Sequence, residues 1–192
     1  MPKGDRAGHE ILDERPGHLI RRLQQISFAL FMDQNRTFDI TPVQYAAIFA
    51  IGSQPGIDQT ALCNIIAFDR STIGDVVTRL EKKQLIKRLS GPVDRRTKSL
   101  YITPAGRRLL RDIGPTVAST QRLILAPLPA AERSAFMRML KQLVHLNNEH
   151  SRSPLRPRDE RHRGRRLAAR AHAGRDKRST TRTRSTKDAA RD

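Results

Sequence analysis

The chain is predicted to be mainly α-helical with one small β-hairpin, and three observations carry that prediction. Apolar residues recur at the i, i+3, i+4, i+7 spacing of an amphipathic helix in several stretches, most clearly at Ile73, Val76, Val77 and Leu80. Two Thr-Pro pairs, Thr41-Pro42 and Thr103-Pro104, set a capping hydroxyl directly before a residue whose ring presets the first helical turn. The helical spacing then lapses between Leu85 and Ile102. There Leu85 to Leu89 and Ser99 to Ile102 read as short strands around a loop marked by Gly91-Pro92.

Composition bounds the rest. A chain of 192 residues has room for one domain of ordinary size with a real core. Lys and Arg number 37 against 19 acidic residues, for a net charge of +18 and a pI near 11.4. Such an excess calls for a polyanionic partner, either nucleic acid or an anionic membrane. No apolar run approaches the roughly 20 residues that span a bilayer, and the N-terminus has no apolar signal core. A soluble, cytoplasmic, nucleoid-associated protein is therefore expected, with no membrane partner. The single cysteine, Cys63, excludes an internal disulfide framework and a cysteine-based zinc site from this chain. No cofactor or metal is expected.

Taken in order, residues 1–17 are a polar arm that ends at Pro16-Gly17. The first helix, from His18, carries Leu19, Ile20, Leu23, Ile26, Leu30 and Phe31 over more than one stripe, so it should touch more than one partner. Thr41-Pro42 opens a helix that turns Val43, Ala46, Ala47 and Ala50 inward, and Ser53 to Gly56 ends it. Ile57-Asp58 caps a short helix with Ala61, Leu62, Ile65 and Ile66 apolar. Asp69 or Ser71 then caps a further helix that starts near Arg70. Two short helices joined by a brief turn, the second with a polar outer face, make a helix-turn-helix. That face carries Arg70, Ser71, Thr72, Asp75, Thr78, Arg79 and Lys82, a set of short hydrogen-bonding groups and cations suited to a major groove. The hairpin loop adds Asp94, Arg95, Arg96 and Lys98. A solvated charged hairpin is the plain alternative, and the polar helix face just before it weighs against that.

After Thr103-Pro104 a long helix should run from Ala105 to about Ala126, with a kink or break near Ile113 imposed by Gly114-Pro115. Leu128-Pro129 opens a last helix with Phe136, Met139, Leu140, Leu143 and Val144 apolar, ending near Asn147. The terminal helices are too apolar for a monomer surface and are expected to pair two copies of the chain. From residue 149 on, the sequence reads as a disordered basic tail. Between Arg152 and Asp192 there are 15 Lys and Arg against 5 acidic residues, with almost nothing to bury. Such a tail would contact phosphates without regard to sequence, and with a strong dependence on salt.

The order of these elements, with DRSTIGDVVTRLEKKQLIKR, the DRR of the hairpin and LYITPAGRRLL, resembles the MarR family of bacterial transcription regulators over roughly residues 18–148. The resemblance implies a winged helix-turn-helix homodimer with its DNA-binding lobe at 41–103 and its dimerisation helices at 18–36 and 104–148. It implies a pseudo-palindromic operator and release by a small ligand. It places Arg95 or Arg96 in the minor groove, with Asp94 fixing the wing. The stretch GHLIRRLQQISFALF is similar to members that control catabolism of aromatic acids or their thioesters. In such members the pocket lies between the first two helices and the long helix. His18, Arg21 and Arg22 would then meet a carboxylate, and Phe28, Phe31, Tyr45 and Phe49 would wall a flat apolar ring. Those rings serve equally as plain core. Cys63 has no adjacent cation and reads as a buried, inert thiol rather than an oxidation sensor. No nucleophile elbow, metal-spaced histidine pair, phosphate-cradling loop or dinucleotide fingerprint appears, so catalysis is not expected. The competing reading from another class is an architectural nucleic-acid binder driven by the tail.

Overall fold

The computed structural model describes residues 12–90 and 98–155. The N-terminal arm, the hairpin loop with Asp94, Arg95 and Arg96, and the basic tail beyond Leu155 lie outside the described residues. The elements in order are α1 (Pro16–Gln34), α2 (Pro42–Ser53), β1 (Ile57–Asp58), α3 (Gln59–Ile66), α4 (Arg70–Lys82), β2 (Ile86–Ser90), β3 (Lys98–Ile102), α5 (Pro104–Leu125) and α6 (Ala130–Leu146). Short 3-10 turns cover Arg36–Phe38 and Asn148–His150.

The helix starts follow from local chemistry. Thr41 and Gln44 form a reciprocal capping box at α2, each side chain satisfying the other's backbone N–H. Asp58 accepts from the Ala61 N–H at α3, Asp69 from the Thr72 N–H at α4, and Thr103 from the Gly106 N–H at α5. Proline occupies the first turn of α1, α2 and α5, where its missing N–H costs no hydrogen bond. Pro115 lies inside α5, yet the helix runs unbroken for 22 residues, so the expected break does not occur. The Thr116 hydroxyl bonds the Ile113 carbonyl, in the turn that the proline disturbs.

The sheet has three strands in the order β1-β3-β2, all antiparallel. Residues 57–58, expected only as a helix cap, add the third strand: Ile57 pairs with Leu100, and Leu100 pairs with Arg88 on the other side. A two-residue strand carries no period-2 pattern, so nothing local announces it. One core cluster runs through Ile48, Ile51, Leu62, Ile73, Val77, Leu80, Ile86, Leu100 and Ile113, linking α2 to α5 and the sheet. Gly106 marks the closest approach, because a Cβ there would lie 2.2 Å from the Leu85 carbonyl oxygen. Only a glycine lets α5 leave the sheet at that point.

Two features attach α1 to the body. Asn35, 1% exposed at the end of α1, donates to the Phe31 carbonyl (2.9 Å) and to Thr120 Oγ1 (3.4 Å), and accepts from Thr116 Oγ1 (2.6 Å). It thereby ties α1 to α5 through a satisfied buried network. Four residues on, Asp39 adopts the left-handed conformation and receives the Lys83 ammonium on both its carboxylate (2.7 Å) and its carbonyl. At the other end of the chain α6 buries none of its residues. Past α6, the Asn148 side chain bonds both the N–H and the carbonyl of Leu155.

Candidate nucleic-acid interface

α3 and α4 are joined by Ala67, Phe68 and Asp69, with Ala67 in the left-handed conformation at the end of α3. α4 then buries Ile73, Val76, Val77 and Leu80, the face expected from their spacing. Its opposite face looks out: Arg70, Ser71, Asp75, Thr78, Arg79 and Lys82 are exposed and Thr72 is half-buried. The expected groove-reading residues of the helix therefore share one accessible surface.

Several of them already have work within the protein. Asp69 accepts from the Thr72 hydroxyl (2.6 Å), the Thr72 N–H (2.8 Å) and the Ser71 hydroxyl (2.9 Å). These bonds hold its carboxyl down to about 2, the Thr72 hydroxyl contributing most. Ser71 and Thr72 thus secure the helix start. The Thr78 hydroxyl donates to the Gly74 carbonyl (2.9 Å) and accepts from Arg88 Nη2 (2.7 Å). Arg88 Nε lies 3.0 Å from Glu81 Oε2. Sequence reasoning gave Arg88 no role beyond a strand residue, because its partners lie ten and seven positions back on another element.

Lys98, the described member of the hairpin's basic set, is exposed at the start of β3 opposite Ser90. It joins Arg70 and Arg88 around a concavity of about 390 Å³, whose wall also includes Asp58, Gln59, Thr60 and Leu100. Cations from α4, β2 and β3 therefore converge beside the start of α3. Arg70 and Lys98 suit phosphate oxygens there, contacts that position a protein on DNA without reading sequence, while Arg88 is held by Thr78 and Glu81.

The expected effector residues divide. Phe31, Tyr45 and Phe49 stack in series, with ring centroids 6.0 and 6.1 Å apart. Phe31 is buried, while Phe49 at the end of the series is 55% exposed. Arg21 and Arg22 are exposed, and Arg21 donates to Gln25 one turn on (3.2 Å). His18 is half-buried, 3.8 Å from Asp13. Phe28 is exposed and makes no ring contact with the stack among the described residues. Cys63 is buried and its pKa is raised, chiefly by desolvation, although Arg70, a cation not expected beside it from the sequence, pulls the other way.

With this geometry the likenesses to other proteins gain content. Residues 40–98, from the start of α2 to the start of β3, match the model of the MarR family. A transcriptional regulatory protein assigned to the hcr operon of Thauera aromatica is 36% identical over 134 residues, covering 69% of this chain and 81% of the relative. The chain belongs to the MarR family. Among solved structures it resembles the PcaV transcriptional regulator of Streptomyces coelicolor in complex with its natural ligand, with a TM-score of 0.63 and 35% identity, covering 70% of this chain and 94% of that one. It also resembles BpsR of Bordetella bronchiseptica, whose DNA binding is regulated by 6-hydroxynicotinic acid, with a TM-score of 0.64 and 28% identity over 68% and 93% of the two chains. The protein is a winged-helix transcription regulator and not an enzyme. In that fold α4 is the second helix of the helix-turn-helix and β2-β3 the wing. No described helix is long and apolar enough to cross a membrane, and no described group of acidic, histidine and cysteine side chains is arranged to hold a metal.

Proposed function

We propose that the protein is a repressor that binds a pseudo-palindromic operator as a homodimer and is released by a small aromatic acid or its thioester. The observation that carries this reading is the pairing of a braced, outward-facing recognition helix with terminal helices that leave apolar side chains exposed. Leu19, Ile20, Ile26 and Phe28 of α1 and Met139, Leu143, Val144 and Leu146 of α6 are all 48–65% exposed save Phe28, at 47%. That much apolar surface calls for a partner, and a second copy in twofold symmetry supplies the matching patch. Twofold symmetry in turn sets two copies of α4 one helical turn of DNA apart, about 34 Å.

Release follows from the same geometry. A ligand that prefers one separation of the two recognition helices shifts binding by its differential affinity for the two states. The Phe31-Tyr45-Phe49 series, open at Phe49, supports a flat ring as the ligand. The regulation of BpsR by 6-hydroxynicotinic acid, a flat ring acid, makes this a consistent reading within the family. A thermal-shift screen of aromatic acids and their coenzyme A thioesters tests it, since a ligand that binds only the folded state raises its stability by mass action. Hits are expected to displace the protein from DNA in the same concentration range. A hit that leaves DNA binding unchanged contradicts the effector assignment.

A further inference from the structure

Arg88 connects the wing to the recognition helix at a point that core packing does not reach. It sits at the middle of β2, opposite Leu100, which pairs on its far side with Ile57. The strand position is therefore fixed from both edges of β3. From there the guanidinium reaches the outer half of α4, donating to Thr78 Oγ1 at 2.7 Å and lying 3.0 Å from Glu81 Oε2. Thr78 passes the contact on to its own helix through the Gly74 carbonyl. At its start α4 is held separately, where Gln59 of α3 donates to the Arg70 carbonyl (3.2 Å) and Asp69 caps the first turn. Packing of Ile73, Val77 and Leu80 fixes how deep the helix lies. The two polar attachments oppose rotation about its long axis.

We propose that Arg88 is a positioning residue for sequence readout: it fixes the rotation of the recognition helix relative to the wing, and so sets which edges Asp75, Arg79 and Lys82 present to the groove. The guanidinium is suited to this because Nη2 donates to Thr78 while Nε, which forms no hydrogen bond of its own, stays paired by charge with Glu81. The pair is partly shielded, Arg88 at 25% and Glu81 at 42% side-chain exposure, and the Thr78 bond is charge-assisted. A rotation of a few degrees at a base edge misaligns bidentate contacts and leaves phosphate contacts nearly intact.

This inference rests on the DNA-binding reading above, and the test separates the two. An operator duplex is first selected from a random library with the full chain, and its affinity is compared at fixed salt with that of a scrambled duplex. Failure of the native chain to select any sequence defeats the DNA-binding reading itself. Given a selected operator, Arg88→Met and Glu81→Met are titrated on both duplexes. Each is expected to lower the ratio of operator to scrambled affinity about tenfold, the equivalent of one charge-assisted hydrogen bond. Glu81→Met is decisive because it removes a negative charge from α4 without altering Arg88 itself. Simple electrostatics predicts tighter binding to both duplexes with an unchanged ratio, and that result overturns the proposal. Equal weakening of Arg88→Met on both duplexes, with a shallower salt slope, also overturns it, by marking Arg88 as a phosphate contact. Should Arg88→Met fail to fold, Glu81→Met alone decides the matter.

Discussion

Asp69 illustrates how much of the interface depends on single side chains. Its carboxylate caps α4 and at the same time draws in the hydroxyls of Ser71 and Thr72. Because those bonds hold its pKa near 2, below the ordinary carboxylate value, the folded state binds that proton less readily than the unfolded chain. Asp69 therefore contributes stability above the ordinary carboxylate range, and that contribution disappears as pH falls toward 2. Asp69→Ala is expected to lower the melting temperature at neutral pH and to abolish that acid-side loss, as seen in melts followed from pH 5 down to pH 2. Gly106 is the second sensitive residue. A Cβ at 2.2 Å from a backbone oxygen cannot be absorbed by a side-chain shift, so Gly106→Ala is expected to cost about 1–3 kcal/mol in denaturant titrations. The capping residues were legible in the sequence, because a cap is a local event between neighbours three positions apart. The competition for Ser71 and Thr72 was not. A side chain on a polar helix face looks the same in sequence whether it faces DNA or a carboxylate two residues away.

At the scale of elements, the junction between α1 and α2 is fastened twice, and the two fastenings differ in weight. Asn35 is buried and makes three hydrogen bonds to α1 and α5, whereas Asp39 is 92% exposed on its side of the Lys83 pair. Removing Asn35 deletes three buried hydrogen bonds, at about 1–3 kcal/mol, while the Thr116 and Thr120 hydroxyls keep their bonds to the Ile113 and Thr116 carbonyls. An exposed ion pair is worth less than about 1 kcal/mol. Asn35→Ala should therefore destabilise the fold markedly more than Lys83→Ala, in parallel chemical-denaturation curves; the reverse order would contradict this account of the junction. The helices themselves were readable from spacing and Thr-Pro starts, and their observed limits fall within a few residues of those expected. Contacts such as Asn35 with Thr116 and Thr120 were not readable. They join positions 81 and 85 residues apart, and no periodicity links them. Pro115 is the converse case, where a rule about one residue met a helix held by its neighbours. Ile113, Val117 and Thr120 are buried along the same face, and α5 runs through the proline.

For the molecule as a whole, charge and apolar surface divide the labour. The excess of cations in residues 152–192, most of them outside the described structure, suits sequence-independent attraction to DNA, while α4 and the wing suit selection among sequences. Deleting residues 156–192 is expected to flatten the dependence of affinity on salt and leave the preference for one operator intact; loss of binding to every sequence alike would favour the architectural reading instead. Leu143, 55% exposed on a helix that buries none of its residues, belongs to the proposed contact between copies. Leu143→Glu should give a monomer by light scattering, with a melting temperature that is lower and no longer rises with protein concentration, because pairing stabilises the folded state by mass action. The general architecture could be anticipated from sequence because each helix advertises its own apolar face. The effector could not, because the residues that line a pocket and those that fill a core are of the same kinds.

The most direct measurement is a titration of the full chain, by fluorescence anisotropy at fixed salt, against a selected palindromic duplex and a scrambled one of equal length. The account predicts two chains per palindromic duplex and an affinity at least about a thousandfold above that for the scrambled sequence, the range typical of specific regulators. Equal affinity for the two duplexes, with chains accumulating along both in proportion to length, would contradict it.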